Sequence, residues 1–410
     1  MSIKQKVRLF MTKNKLIEKI YETYHKEAKY IYQFNKPKVI LNEKVKLDSF
    51  LCGMQSFFGY YDKTPVRNGH YIYHVVNSKS LDLNQEIDIY CDDKKIGSTT
   101  SWNWQQGAML SWLNDQEIIY NIFKDNKYKS CIFNIETETS RIIDYPIYQV
   151  SADGKFALSL SFSRLAYLRP DYGYFNLPSD NIKKITENDG IFFVDLINNS
   201  SVLIVSLSDL ADLETQDSMF DAYHKVNHID ISPDQTKFIF LHRWFDISNV
   251  KHSRLILYDL TCKDKKIIAD EDMVSHYSWK NDHEIVAYLR HQGLDHYYLI
   301  DIVTLKMTLI GNMNELNDDG HPSLTKDEKW LLTDTYPDYT CKSHLLLYNM
   351  ITKKMITLGD FYSPKRYQGI NRCDLHPRWT NDREITFDSV YLGMRRLCRL
   401  DIGEIMDEGK

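Results

Sequence analysis

The chain has 410 residues, and 43% of them are hydrophobic, which is enough apolar surface for a packed core. A formal net charge of −5 at pH 7 argues against a general nucleic-acid binder, and the absence of an 18-residue apolar run argues against a membrane span. Seven cysteines without paired spacing, together with an N-terminus that lacks signal-peptide features, predict reduced thiols and a cytoplasmic protein.

The first 36 residues differ in character from the rest of the chain. Residues 1–35 carry eight Lys or Arg against three Glu, and apolar residues recur among them at helical spacing. This pattern predicts a basic amphipathic helical extension over residues 1–36. Such a helix either lies on an anionic membrane surface or a partner protein, or packs on the outside of the following domain with its basic face in solvent.

From residue 37 onward the chain is built from repeats. Six segments share a hydrophobic residue, two further residues, an aspartate and then an apolar run. The shared aspartates are Asp115, Asp153, Asp234, Asp282, Asp327 and Asp382. Successive aspartates are 38, 81, 48, 45 and 55 residues apart, and each unit contains about four short strand patterns. A period of roughly 40 to 50 residues with four strands is typical of a β-propeller blade.

A weaker copy, GYYDKTPVRNGHYIYHVV, precedes the six and makes seven units. We therefore predict an all-β protein, a seven-bladed β-propeller over residues 37–410. The 81-residue interval is expected to hold one blade with two insertions, at 164–188 and 207–224. The early segment PKVILNEKVKLD is expected to pair with the last unit, because a closed ring leaves no exposed sheet edge.

The last four repeats each have a histidine six residues before the aspartate. These histidines are His228, His276, His321 and His376. Because the first strand of each blade lines the central channel, the four side chains are expected at the same channel end. Period-two alternation places Asp319 on the face of His321, and Asp374 on the face of His376. Imidazoles and carboxylates in a narrow channel form either a metal site or an acid–base site, although each histidine alone is compatible with a structural role.

Further candidate residues have side chains suited to binding sugars or carboxylates. Tryptophan faces stack on sugars and amide groups bind hydroxyls, and the insertions provide additional polar groups. The candidate substrate-binding residues are Trp104, Gln105, Gln106, Arg164 and Tyr172. Arg243, in the second strand of the fourth unit, suits a substrate carboxylate. The alternatives are blade packing for the aromatic residues and an inter-blade salt bridge for Arg243.

The late segments GHPSLTKDEKWLLTDTYPD and RCDLHPRWTNDREITFDS resemble the seven-bladed propeller polysaccharide lyases, chiefly the oligogalacturonate lyases and more distantly the ulvan lyases. The resemblance extends over roughly residues 50 to 405 and is sharpest from His228 onward. It implies a manganese site that falls on Asn371, Asp374, His376 and His321. Asn371 and Asp374 stand where the family has glutamine and histidine. With imidazole ligands, the expected ion is manganese or zinc.

The resemblance also implies β-elimination on a glycan that contains uronic acid. The family's general base falls on His276 or His228, of which His228 is the first choice, and its carboxylate-neutralising arginine falls on Arg243. The predicted partner is thus an oligosaccharide or polysaccharide with uronic acid units. The alternative is a non-catalytic propeller that binds sugars or serves as a scaffold in bacterial surface-polysaccharide biosynthesis.

Overall fold

The computed structural model describes Tyr30, residues 36–178 and residues 182–408. The predicted helical extension falls almost entirely outside these residues, so it stays a prediction, as does the domain boundary at residue 36. No helix in the described part of the chain is long and apolar enough to cross a membrane. The seven cysteines all lie in the described residues, and none of them forms a disulfide there.

The described chain forms seven antiparallel sheets arranged as the blades of a β-propeller. Two short strands come first, β1 (Val39–Leu41) and β2 (Lys46–Ser49). Blade 1 contains β3 (Gln55–Phe57), β4 (Val66–Arg67), β5 (His70–Val76), β6 (Ile87–Cys91) and β7 (Lys94–Thr99). Blade 2 contains β8 (Ser111–Trp112), β9 (Glu117–Lys124), β10 (Lys127–Asn134) and β11 (Ser140–Ile143). Blade 3 contains β12 (Gln149–Val150), β13 (Phe156–Ser159), β14 (Gly190–Asp195) and β15 (Ser200–Ser206).

The remaining four blades follow the same order from the channel outward. Blade 4 contains β16 (Tyr223–Ile231), β17 (Lys237–Phe245), β18 (Lys251–Asp259) and β19 (Asp264–Ala269). Blade 5 contains β20 (Val274–Trp279), β21 (Glu284–His291), β22 (Leu294–Asp301) and β23 (Met307–Leu309). Blade 6 contains β24 (Ser323–Leu324), β25 (Trp330–Asp334), β26 (Lys342–Asn349) and β27 (Met355–Tyr362). Blade 7 contains β28 (Arg378–Asn381), β29 (Glu384–Ser389) and β30 (Arg396–Asp401).

Ring closure differs in part from the prediction of a single N-terminal strand in the last unit. β2 does pair with β30 and completes blade 7, but β1 pairs with β27 and becomes a fifth strand of blade 6. A turn separates them, in which the Asn42 side chain accepts the Lys44 N–H and the Asn42 carbonyl accepts the Val45 N–H. The N-terminal segment therefore joins the last two blades to each other.

Two features of the repeat have a clear structural purpose. The tryptophan that opens three of the repeats donates its indole N–H to the backbone of the preceding blade: Trp112 to Pro65, Trp279 to Asp230 and Trp379 to Ser323. Apolar residues of adjacent blades then pack face to face, as Leu332 and Leu345 of blade 6 do with Ile385 and Leu400 of blade 7. The repeat pattern thus specifies contacts between blades as well as the strands.

The long interval in blade 3 contains both expected insertions. Residues 160–189 join β13 to β14 and include helix α1 (Phe162–Leu168) and a 3-10 turn (Pro170–Tyr172). Residues 207–222 join β15 to β16 and include helix α2 (Leu207–Asp212) and a second 3-10 turn (Asp217–Met219). Ser161 and Ser206 cap the two helices by accepting backbone N–H groups. Helix α3 (Gly403–Glu408) ends the described chain.

Candidate functional site

Four imidazoles meet in the central channel. His228 and His276 lie in the inner strands β16 and β20, and His321 and His376 lie just before β24 and β28. Neighbouring ring centroids are 6.0 Å apart for His228 and His276, 4.2 Å for His276 and His321, and 4.2 Å for His321 and His376. All four are at least 95% buried. We call this set the histidine arc.

Two tyrosines of blade 1 fill the space that the arc surrounds. The Tyr60 ring lies 5.0 to 6.5 Å from the four imidazole centroids, and the Tyr61 ring lies 5.2 to 6.4 Å from them. The preceding Gly59 has φ +117°, and a Cβ there would meet the Gln106 backbone at 2.8 Å. Asp388 of blade 7 fixes the same turn by accepting the Phe58 and Gly59 N–H groups. The turn therefore aims both phenols into the channel.

Asp334, at the end of β25, orients two of the histidines. One of its oxygens accepts both the backbone N–H of His321 at 2.8 Å and Nδ1–H of the same ring at 2.8 Å. The other oxygen accepts the backbone N–H of His376 at 3.1 Å. In the neutral form of His321, Nδ1 keeps the proton that Asp334 accepts and Nε2 carries the lone pair. A carboxylate behind an imidazole in this way is a common support for metal-binding histidines.

Three side chains could hold a metal ion. Ligand atoms of His321, Asp374 and His376 all lie within 4.8 Å of one another. Nε2 of both histidines is buried and has no hydrogen-bond partner, and the same is true of the Asn371 amide oxygen. Arg372 donates to Asp374 at 2.7 Å, so this carboxylate is already partly neutralised. Two imidazoles and a carboxylate suit a transition metal such as manganese or zinc.

His276 has the surroundings of a general base. Its Nδ1 lies 3.0 Å from Asp319 Oδ1, and Ser275 donates to the other Asp319 oxygen at 2.6 Å. Burial, followed by the charge of His321, lowers the pKa of His276 to about 4, so the ring is neutral near pH 7. Because Nδ1–H points at the carboxylate, the lone pair resides on Nε2.

His228 is held more tightly. The Tyr61 hydroxyl donates to the Tyr277 carbonyl and accepts the Tyr277 N–H, so His228 Nε2 must donate to it across 3.0 Å. The lone pair therefore sits on Nδ1, which is buried without a partner. The ring stacks on Tyr277 at a centroid distance of 4.1 Å. Burial, and then the His276 and Arg243 charges, lower the pKa of His228 well below its usual value.

Arg243 lies beside the arc without a carboxylate partner. It donates to Ser253 at 3.1 Å and to the Val274 carbonyl of blade 5 at 2.8 Å. No ion pair between described residues includes it, so the alternative of an inter-blade salt bridge does not apply within that part of the chain. Burial and then the nearby Arg169 charge lower its pKa. Such a guanidinium is suited to an anionic ligand.

Of the residues predicted to bind sugar, Tyr172 contacts Tyr60, one of the two tyrosines that the arc surrounds. Its ring meets Tyr60 edge-on at 6.0 Å, and its hydroxyl accepts a hydrogen bond from Arg372 at 3.1 Å. Gln106 connects to the arc indirectly, because it donates to the Tyr148 hydroxyl, which also accepts the backbone N–H of His228. Tyr172 therefore remains a candidate for direct contact, and Gln106 supports the site from behind.

Trp104, Gln105 and Arg164 are placed differently. Trp104 is 1% exposed and its indole donates to the Leu81 carbonyl, while Gln105 donates to the Arg372 carbonyl. Arg164 pairs with Asp189 at 2.6 Å and donates to the backbone of Lys183 and His224, which fastens the blade 3 insertion. Their bonds hold the walls of the channel, and a direct role in sugar binding stays a prediction.

The sequence analysis did not identify Asp334 as a partner of His321, nor Asp319 as a partner of His276. His321 lies six residues before the turn aspartate of its hairpin and Asp334 seven after it, so hairpin symmetry would have paired them. Asp319 instead contacts His276 of the preceding blade, and no sequence spacing indicates that contact. The third omission, Lys225, sits three residues before His228 in a strand of mixed polar and apolar residues.

No protein-family model and no curated protein sequence matches the chain. Solved structures do. One is an oligogalacturonate lyase in complex with manganese, with a TM-score of 0.60 and 13% identity over 90% of this chain and 99% of that chain. Another is an oligogalacturonate lyase from Vibrio parahaemolyticus, with a TM-score of 0.56 and 14% identity over 89% of this chain and 98% of that one. The chain therefore has the seven-bladed fold of these lyases, and at such identity the likeness concerns the fold alone.

Proposed function

We propose that this protein cleaves uronate-containing oligosaccharides or polysaccharides by β-elimination. The observation that carries the proposal is that four buried imidazoles and a buried guanidinium lie together at one channel end. The guanidinium, that of Arg243, has no carboxylate partner among the described residues. A site for this reaction needs a base for the proton next to a carboxylate, and a positive group that stabilises the charge developing on that carboxylate. The arc and Arg243 supply both.

His276 is the base that the geometry favours. Its tautomer is fixed by Asp319, which leaves the lone pair on Nε2, and it is 5% exposed while His228 is 1% exposed. The sequence-based first choice, His228, has its Nε2 engaged with Tyr61, which leaves only the buried Nδ1 as an acceptor. In this proposal His276 removes the C5 proton of the uronate unit, and His228 holds Tyr61 in place.

Arg243 binds and neutralises the substrate carboxylate in this proposal. Removing the C5 proton places negative charge on that carboxylate, and a guanidinium fixed by two hydrogen bonds needs little reorganisation to stabilise it. Tyr60 is suited to give a proton to the departing glycosidic oxygen, because it lies within the arc and burial raises its pKa well above 10, so it keeps its proton.

A divalent ion, manganese or zinc, fits the donor set of His321, His376 and Asp374. The amide oxygen of Asn371 would be the fourth donor. The support is the pair of buried, unpartnered Nε2 atoms and the orientation of His321 by Asp334. When bound, the ion would supply Lewis-acid neutralisation of the substrate carboxylate. The likeness to a manganese-bound lyase structure is consistent with this choice.

A non-catalytic sugar-binding or scaffold propeller is the second candidate. One observation favours it: Arg372 bonds both Asp374 and Asp171, so a cation already occupies one side of the metal set. Such a protein would hold an acidic glycan in the same channel and leave it intact. Under either proposal we expect a cytoplasmic protein, with the basic N-terminal segment as a surface for a membrane or partner.

Incubation of the purified protein with a panel of uronate oligosaccharides tests the proposal. β-Elimination creates a carbon–carbon double bond conjugated with the carboxylate, so product appears as new ultraviolet absorbance. We expect turnover by the wild type, an increase on adding manganese or zinc, and loss of product in Arg243→Ala. Elemental analysis of protein purified without chelator should show a bound divalent ion. Binding without any absorbance change on every uronate would favour the non-catalytic candidate.

A further inference from the structure

Lys225 is a buried amine that the proposed reaction does not use. Its side chain has no solvent exposure, and its Nζ has no hydrogen-bond partner. It lies in β16 directly opposite Arg243 of β17, and its Nζ sits 6.0 Å from the centre of the Phe245 ring. Fully buried lysines are rare in folded proteins unless a partner compensates them, so this position calls for one.

The groups around Lys225 are mostly cationic and come from three elements. Arg243 and Lys251 lie in the neighbouring strands β17 and β18, and Arg169 comes from the blade 3 insertion. Burial and then the Arg243 and Arg169 charges lower the pKa of Lys225 well below 10.5. The Arg243 charge, followed by burial, lowers the pKa of Lys251 to about 8. Like charges therefore crowd this corner of the channel.

The acids nearby are already engaged. Asp171 pairs with Arg169 at 3.0 Å and also with Arg372. Asp319 pairs with His276 at 3.0 Å. Neither is bonded to Lys225, whose Nζ remains a buried donor without an acceptor. An incoming anion would satisfy that donor and lower the mutual repulsion of the cations in one step.

We propose that Lys225 and Arg169, next to Arg243, form an oxyanion subsite beside the histidine arc, which holds a second anionic group of the substrate. That group is a sulfate or phosphate ester, or the carboxylate of the next sugar unit. This proposal rests on the proposed function for the identity of the substrate, but the subsite itself depends only on the cation cluster. It predicts that the preferred glycan carries more than one negative charge near the bond that is cleaved.

Calorimetric titration of the full chain with sodium sulfate, inorganic phosphate and D-galacturonate tests the subsite. We expect at least one probe to bind the wild type, and its affinity to fall roughly tenfold to a hundredfold in Lys225→Met, the range of one charge-assisted hydrogen bond. Arg169→Gln should weaken the same probe. Lys155→Met is the matched control, because Lys155 is exposed beside Asp153 in a turn. It should bind as the wild type does.

Lys225→Met is expected to fold, because methionine fills similar space and removes an uncompensated buried amine; a thermal melt at or above the wild-type midpoint would verify this. Loss of sulfate or phosphate binding identifies an ester substituent, and loss of galacturonate binding alone identifies a second carboxylate. Equal binding by Lys225→Met and the wild type, equal weakening in Lys155→Met, or no binding of any probe overturns the proposal. Because no turnover is measured, failure of the lyase assay leaves these outcomes unaffected.

Discussion

Met109 and Ile147 stand six residues before the turn aspartates of blades 2 and 3, which is the place that the four histidines take in blades 4 to 7. Both apolar side chains are buried and pack in one cluster with Tyr60 and Tyr61. The two halves of the channel end are therefore built from the same repeat position. One half is an apolar wall against the tyrosines, and the other is the histidine arc.

The backbone at this position adds to the comparison. Met109 has φ +54°, His228 has φ +53° and His376 has φ +46°. A left-handed conformation in a residue other than glycine often marks a functional site. Here it occurs in one apolar blade and in two of the four histidine blades, so the conformation does not separate the two halves. The two halves differ instead in the imidazole side chains, whose oriented and unpartnered nitrogens only the histidine half has.

The largest expected effect separates the two halves directly. His276→Ala should lower product formation about 10²- to 10⁴-fold, the usual contribution of a general base. Met109→Leu, at the equivalent position of blade 2, should leave turnover unchanged, because the swap conserves volume in an apolar wall. Initial rates on a confirmed uronate substrate measure both. If His276→Ala kept wild-type turnover, His276 would not be the base, and His228 or a tyrosine would have to take that role.

The next effect concerns the support of the arc. Asp334→Asn should weaken manganese binding about 10- to 100-fold, because an amide supports the His321 ring less well than a carboxylate. Asp360→Asn is the matched control, since Asp360 bonds His344 at 2.8 Å in the outer strands of blade 6. Titration calorimetry with manganese measures both variants. Equal affinities would show that Asp334 serves the backbone N–H groups rather than a metal.

Much of the fold was readable from the sequence because a propeller repeats its contacts. The turn aspartates located six blades, and the tryptophans of three repeats turn out to bond the preceding blade. Closure was harder to predict, since two adjacent N-terminal strands enter different blades and only the turn at Asn42 separates them. A short strand pattern carries no information about which of two neighbouring edges it will join.

The site residues that occupy equivalent repeat positions could be predicted from the sequence. The contacts between residues of different blades could not. Four equivalent histidines indicated a shared channel end, which the ring distances confirm. The Asp319–His276 pair joins different blades, and Lys225 becomes notable only through its burial and its unpartnered Nζ. These depend on how two blade faces approach each other, and a single sequence contains no periodic signal for that.

The smallest expected effect is a pH dependence that compares buried and outer imidazoles within blade 4. Burial, partly offset by a bond to the Met219 backbone and reinforced by the Arg254 and Arg164 charges, lowers the pKa of His224 to about 4. At His252, burial also lowers the pKa, but bonds to Asp272 and Asp246 outweigh it and raise the pKa above 6.5. The two residues should therefore respond to acid in opposite directions.

Between pH 6.5 and pH 4 the unfolded chain protonates His224 and the folded chain does not, so the free energy of unfolding falls as pH decreases, by at most about 1.4 kcal/mol per pH unit for this group. His224→Gln should flatten that slope. His252 contributes stability that is fully present below pH 6.5 and is lost as pH rises through its folded pKa, so His252→Gln should lower the free energy of unfolding by a constant amount below pH 6.5 and leave the slope from pH 6.5 to pH 4 as in the wild type. Denaturant unfolding from pH 7 to pH 4 measures both slopes. Parallel slopes for the two variants would mean that His224 gains its proton without unfolding, and that the interior of blade 4 is open to solvent on the acid side.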